Sequence, residues 1–344
     1  MHSGRRPVSA QGAYILGCRG TWLRDREKAF FADANPWGFI LFARNMETPA
    51  QVRALCTDLR QTVGRNAPIL IDQEGGRVQR MERPYWRKYL PPLDQITRSA
   101  PEDMVRGMYL RARLIAAELH SVGIDVNCAP VADIITDRTH RFLRNRCYGA
   151  DAQTVLDAAR AVAQGSLDGG VLPVMKHVPG HGRAFVDSHH EPPHVNIDLN
   201  TLAATDFVPF AGLSDLPLAM TGHMIFDQID PGVPTTASAK MVRIIRDMIR
   251  FDGLLMTDDI SMEALSGTVA DRSLAAIRAG VDISLHCNGN LDQMESVAET
   301  VGLMTPAAQA RADGALAQRR APDAIDVPAL EEELNSLVEG AFSG

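Results

Sequence analysis

The chain has 344 residues, 45% of them hydrophobic, with 35 Lys and Arg against 42 Asp and Glu, a formal net charge of −7. An acidic balance excludes nucleic acid or an anionic membrane surface as the main expected partner, and no window approaches the roughly 20 apolar residues of a membrane span. Cys18, Cys56, Cys128, Cys147 and Cys287 are scattered without a C-x-x-C pair, which predicts reduced, buried thiols rather than a disulfide framework or zinc knuckle. The N-terminal apolar stretch is too short for a signal segment, so a cytoplasmic location is expected.

In chain order, short apolar runs alternate with helical patterns. The runs are Gly12–Cys18, Gly38–Ala43, Ala67–Gly76, Gly123–Asp133, Gly170–Gly180, Leu216–Phe226, Asp252–Ile260 and Gly280–Asn288. The segment "TPAQVRALCTDLRQTV" shows a typical helix entry, with Thr48 placed as N-cap and Pro49 at the first helical position. Eight continuously apolar strands between amphipathic helices read as a parallel sheet buried on both faces. The count predicts an α/β fold, a single-domain (β/α)8 TIM barrel over residues 1–344, with the last ~40 residues as helices packing on it. An open doubly wound sheet is the alternative, weakened because no G-x-G-x-x-G follows the first strand.

Polar residues collect where these runs end: Asp72, Asp133, Lys176 with His177, His223, Asp258 with Asp259, and His286 with Asn288. A single aspartate after a strand is most simply an N-cap for the next helix. Six strands ending this way place titratable groups on the one face where barrel active sites lie.

The stretch from Lys176 to His194, "KHVPGHGRAFVDSHHEPPH", carries five histidines. His177, His181, His189, His190 and His194 offer ligand atoms, but His177 and His181 flank "VPG", cannot share a helix face, and match no zinc spacing. No metal site is expected. Asp187 and His189 stand two apart, so in an extended segment they point the same way, and the carboxylate can fix and charge the imidazole for proton transfer near neutral pH. A surface ion pair on a loop is the simpler alternative. Asp258, ending the apolar "GLLMT", faces the same end of the barrel. A carboxylate there opposite a proton donor suits double-displacement glycoside hydrolysis. Asp72, Arg80, Arg146, Lys176 and His177 supply donors and acceptors for sugar hydroxyls.

Three motifs in order, "IDQEGGRVQR", "KHVPGHG" with "DSHHEPP", and "GLLMTDDISMEA", make the chain resemble the β-N-acetylglucosaminidases of glycoside hydrolase family 3, single-domain bacterial enzymes of peptidoglycan recycling. The resemblance implies Asp258 as nucleophile, His189 as general acid/base and Asp187 as its dyad partner. It places Asp72, Arg80, Arg146, Lys176 and His177 around the N-acetylglucosamine unit, Arg146 through "RFLRNRCYG", and it implies a mobile loop carrying His189. Val178 stands where the family usually has phenylalanine. The implied reaction is release of terminal non-reducing N-acetylglucosamine from 1,6-anhydro-N-acetylmuramyl muropeptides in the cytoplasm, without a cofactor or an obligate protein partner. A phosphorylase stays open, because a histidine acid/base does not repel incoming phosphate. So does a catalytically silent sugar-binding barrel.

Overall fold

Alternate residues of a strand face opposite sides of a sheet, and here both sides are apolar. Ala13 and Ile15, Leu172 and Val174, Leu218 and Met220, Leu254 and Met256, and Ile283 and Leu285 point into one cluster. Their neighbours Tyr14, Leu16, Ile69 and Ile71, with Met175, Ala219 and Leu255, pack outward under helices. The computed structural model describes residues 10–185, 192–340 and 342. Asp187 and His189 therefore lie outside the described residues.

The eight barrel strands are β1 (Gly12–Gly17), β2 (Pro36–Leu41), β3 (Ile69–Ile71), β4 (Val126–Asn127), β5 (Leu172–Val178), β6 (Leu218–Thr221), β7 (Leu254–Asp259) and β8 (Ile283–His286). All pair in parallel, and β1 pairs with both β2 and β8, closing the barrel. This is the (β/α)8 barrel expected from the sequence. The helix Pro49–Val63 begins as anticipated, with Thr48 Oγ1 accepting the Gln51 N–H at 3.2 Å.

The strands β3, β4 and β6 are among those shorter than their apolar runs. Pro68 has no N–H for the ladder and stands immediately before β3, while Pro130, also without an N–H, stands three residues past the end of β4. The sixth run breaks at Gly222 and resumes as Ile225–Phe226. That piece leaves the barrel and pairs in parallel with His194–Val195.

The floor is closed by the helix Pro306–Leu316, whose Ala308, Ala312 and Ala315 pack into the inner cluster. Small side chains let the helix approach the strand ends closely. The following helix, Val327–Leu337, packs Leu334 against the cluster that holds Leu110 and Leu114 of the helix Met104–Ser121. None of the described helices is long and apolar enough to cross a membrane.

Candidate active site

The inward parity that fills the barrel also builds its mouth. Continuing the inward positions, β5 runs Leu172, Val174, Lys176; β7 runs Leu254, Met256, Asp258; and β3 is followed by Asp72, two residues after Leu70. The three polar side chains thus arrive at the C-terminal end of the barrel, around its axis. They line a cavity of about 150 Å³ together with Arg80, Arg146, His177 and His181. Ile40, Met220 and Leu285 form its apolar floor. Lys176 and His177 both reach the cavity although they are consecutive.

Every cation in the well has an acid. Lys176 Nζ lies 2.8 Å from Asp72 Oδ1 and 2.6 Å from Glu74 Oε1. Arg80 Nη2 reaches Asp72 Oδ2 at 3.1 Å. Arg146 grips Glu74 with two parallel bonds, Nε to Oε2 at 2.9 Å and Nη2 to Oε1 at 2.8 Å, the strong bidentate geometry of guanidinium and carboxylate. Burial alone would raise the carboxyl of Asp72, but Lys176 and Arg80 hold it well below the usual carboxylate range. Glu74 is held down in the same way by Arg146 and Lys176. Burial works against the charge on Lys176, yet Asp72 and Glu74 push its ammonium above its ordinary value.

His177 is oriented from behind. Its Nδ1 lies 2.7 Å from Asp133 Oδ2, and the Asp133 Oδ1 accepts the His181 N–H at 2.7 Å. An acceptor at Nδ1 assigns the proton there and leaves Nε2 facing Arg146 Nη2 at 3.4 Å. His181 is buried and its Nδ1 has no hydrogen-bond partner; burial pushes its imidazole down to about 3, so it is neutral. Gly182 is needed here, since a Cβ would sit 1.7 Å from the Ile134 carbonyl oxygen.

Asp258 is ionised at neutral pH. Burial raises its carboxyl, but His177, His223, the Asp259 N–H and Lys176 together bring it below its ordinary value. The Asp259 N–H donates to Oδ1 at 2.7 Å, and no hydrogen bond reaches Oδ2 from the described residues. His223 is fixed beneath, with Nε2 3.1 Å from the Asp259 carbonyl and Nδ1 2.8 Å from Thr236 Oγ1. Asp259 also lines the cavity, and its carboxylate ties the strand ends together, accepting the N–H groups of Ser261 at 3.0 Å and Cys287 at 3.1 Å.

Of the residues singled out from the sequence, Asp72, Arg80, Arg146, Lys176, His177 and Asp258 meet in this one well. Asp187 and His189 lie outside the described residues. His194 sits elsewhere, 2.8 Å from Asp227. Among the described residues no group of three His, Cys, Asp or Glu could hold a metal. Sequence reasoning gave no role to Glu74, which lies inside "IDQEGGRVQR" two residues past Asp72 and so shares its parity. It placed Asp133 and His223 at strand ends without a role.

A parallel barrel whose mouth holds an ionised carboxylate among paired cations fits a glycoside hydrolase. The sequence pattern described as the glycosyl hydrolase family 3 N terminal domain matches residues 17–317. A beta-hexosaminidase of Pseudomonas aeruginosa (strain LESB58) is 35% identical over 282 residues, 81% of this chain and 83% of that protein. One of Bordetella avium (strain 197N) is 34% identical over 319 residues, 89% of each. Among solved structures, native NagZ from Neisseria gonorrhoeae superposes with a TM-score of 0.84 at 25% identity, covering 97% of this chain and 99% of that one. The chain belongs to glycosyl hydrolase family 3.

Proposed function

We propose that the protein is a retaining β-N-acetylhexosaminidase that removes terminal non-reducing N-acetyl-D-glucosamine from β-linked substrates, its natural ones being muropeptides with a 1,6-anhydro-N-acetylmuramyl unit, in cytoplasmic peptidoglycan recycling. The observation that carries it is Asp258: an ionised carboxylate, one oxygen held by the Asp259 N–H, beside a well of hydroxyl-binding groups. The related chains named beta-hexosaminidase support the choice of sugar.

In this mechanism one Asp258 carboxylate oxygen attacks the anomeric carbon while the bond to the aglycone oxygen breaks. The departing oxygen takes a proton from His189, whose imidazolium Asp187 stabilises. Water then attacks the same carbon, passes a proton to His189, and frees Asp258 with net retention. Asp72, Arg80, Arg146, Lys176 and His177 hold the ring hydroxyls, and Arg146 also fixes Glu74 and so the Lys176 ammonium. Their mutual pairing keeps the groups placed before the sugar arrives, so little reorganisation is needed during reaction.

The test is trapping with a 5-fluoro N-acetylglucosaminyl donor, followed by peptide mass spectrometry. A label on the peptide containing Asp258, and loss of 4-nitrophenol release in Asp258→Ala, are expected. A label elsewhere, or activity in that variant near the parent level, refutes the assignment. Sugar-1-phosphate as the main product when phosphate is added would replace hydrolase by phosphorylase.

A further inference from the structure

The inner layers of the barrel are apolar, yet a short polar chain runs behind the well. β6 ends at Thr221, and His223 follows the break at Gly222. Thr221, His223 and Thr236 are buried, and they lie outside the set of residues that lines the cavity. Buried polar groups cost free energy unless they are hydrogen-bonded, so their partners show what they hold. Thr236 Oγ1 lies 2.9 Å from Thr221 Oγ1 and 2.8 Å from His223 Nδ1. On the other side of the ring, His223 Nε2 lies 3.1 Å from the Asp259 carbonyl oxygen. A carbonyl only accepts, which assigns a proton to Nε2. Burial pushes the imidazole below its ordinary value, so at neutral pH this is its single proton, and Nδ1 accepts from the Thr236 hydroxyl.

The far end of the chain is the turn that carries Asp258, and Asp259 is bound there on three sides. Its N–H donates to Asp258 Oδ1 at 2.7 Å, and its carboxylate accepts the Cys287 N–H at 3.1 Å. Its carbonyl accepts from His223 and from the Met262 N–H at 3.2 Å. β7 lies between β6 and β8 in the barrel. The Cys287 bond, with the Ile260 N–H on the Leu285 carbonyl at 2.8 Å, ties the turn to the β8 side. The His223 bond ties it to the β6 side. Without that tie the residue whose N–H aims the Asp258 carboxylate is braced from one flank.

We propose that His223 is a positioning residue for the nucleophile: its Nε2–H holds the Asp259 carbonyl and so keeps the Asp258 carboxylate aimed at the anomeric carbon, without touching the sugar. This rests on the glycosidase reading above. An attacking atom displaced by about 1 Å costs on the order of a hundredfold in rate, while the groups that bind the sugar ring stay as they were.

The test compares the parent with His223→Gln and His223→Met. The two new side chains have nearly the same length and volume, and Gln alone brings an N–H to the position of Nε2. Three quantities are read: the rate of labelling by a saturating 5-fluoro N-acetylglucosaminyl donor, the inhibition constant of free N-acetylglucosamine, and kcat/KM for 4-nitrophenyl N-acetyl-β-glucosaminide. In His223→Met the labelling rate and kcat/KM fall about ten- to hundredfold, and N-acetylglucosamine binds as tightly as to the parent. His223→Gln recovers most of the rate. An unchanged rate in His223→Met overturns the proposal. So do equal rate losses in both variants, or losses matched by weaker N-acetylglucosamine binding, which mark His223 as a packing residue. If His223→Met does not fold, Thr236→Val, which leaves Nδ1 without its donor, takes its place; labelling then slows about threefold, and an unaltered rate overturns the proposal. A parent labelled on a peptide without Asp258 removes the nucleophile reading and this inference with it.

Discussion

Replacing Lys176 by methionine removes the ammonium that joins Asp72 to Glu74 and keeps most of the side-chain volume. Two acids then face each other in the well, each with one guanidinium left, Arg80 on Asp72 and Arg146 on Glu74. Removing one partner of a buried ion pair costs about 3–5 kcal/mol. The remaining guanidiniums and the 17% side-chain exposure of Asp72 favour the low end, about 3 kcal/mol. With an unfolding entropy of about 2.1 cal/mol/K per residue, 344 residues turn this into a fall in Tm of about 4 °C. The pH dependence is the sharper signature. In the parent, Asp72 and Glu74 are held below their ordinary values. Their contribution is present above those values and fades as pH falls through the folded ones. Lys176 is held above its ordinary value, so its contribution is complete throughout the neutral range and is lost only as pH rises through its folded value. Without the ammonium, burial pushes the two carboxyls upward, and the folded variant takes up protons that the folded parent does not. Thermal unfolding of both proteins from pH 5 to 8 therefore shows the Tm gap widest at pH 8 and narrower at pH 5. A constant gap, or one that grows on acidification, refutes the account of Lys176 as the neutraliser of two buried acids.

Asp133→Asn presents an amide N–H to His177 Nδ1 and turns the ring to the other tautomer, which would point an N–H at Arg146; kcat/KM on 4-nitrophenyl N-acetyl-β-glucosaminide falls about ten- to hundredfold, as for loss of one charged hydrogen bond. Unchanged kinetics would dismiss the orienting role of Asp133. His189→Ala slows substrates with poor leaving groups far more than aryl glycosides, because only the former need a proton on the departing oxygen; equal losses on both count against His189 as the acid. Gly75→Ala puts a Cβ 1.8 Å from Arg111 Nη2 at a φ of +95° and lowers stability by about 2–5 kcal/mol from crowding and left-handed strain. A melting temperature equal to the parent's would show that the turn is not held against Arg111.

The barrel was legible because a parallel strand buried on both faces writes itself as an unbroken apolar run, and eight such runs are hard to mistake. Asp72, Lys176 and Asp258 were legible for a related reason, since a charge directly after such a run has to serve some purpose. Glu74 was not. Its partner Arg146 lies 72 residues away, and nothing local distinguishes an acid that is buried and paired from one on a solvated turn. The role of Asp133 was hidden in the same way, because its carboxylate serves two backbone N–H groups and an imidazole from the β5 segment. The break of the sixth run into β6 and Ile225–Phe226 depends on a partner, His194–Val195, whose own sequence has no strand pattern.

The helix Pro306–Leu316 and the packed inner layer above it make the well a dead end. Among the described residues, traffic has one doorway. A sugar docked against Ile40, Met220 and Leu285 cannot depart while its aglycone still blocks the passage, and water must enter by the same route. Under the proposed double displacement, release is then ordered by architecture, last in and first out, with the aglycone gone before hydrolysis and the bare sugar the final product to emerge.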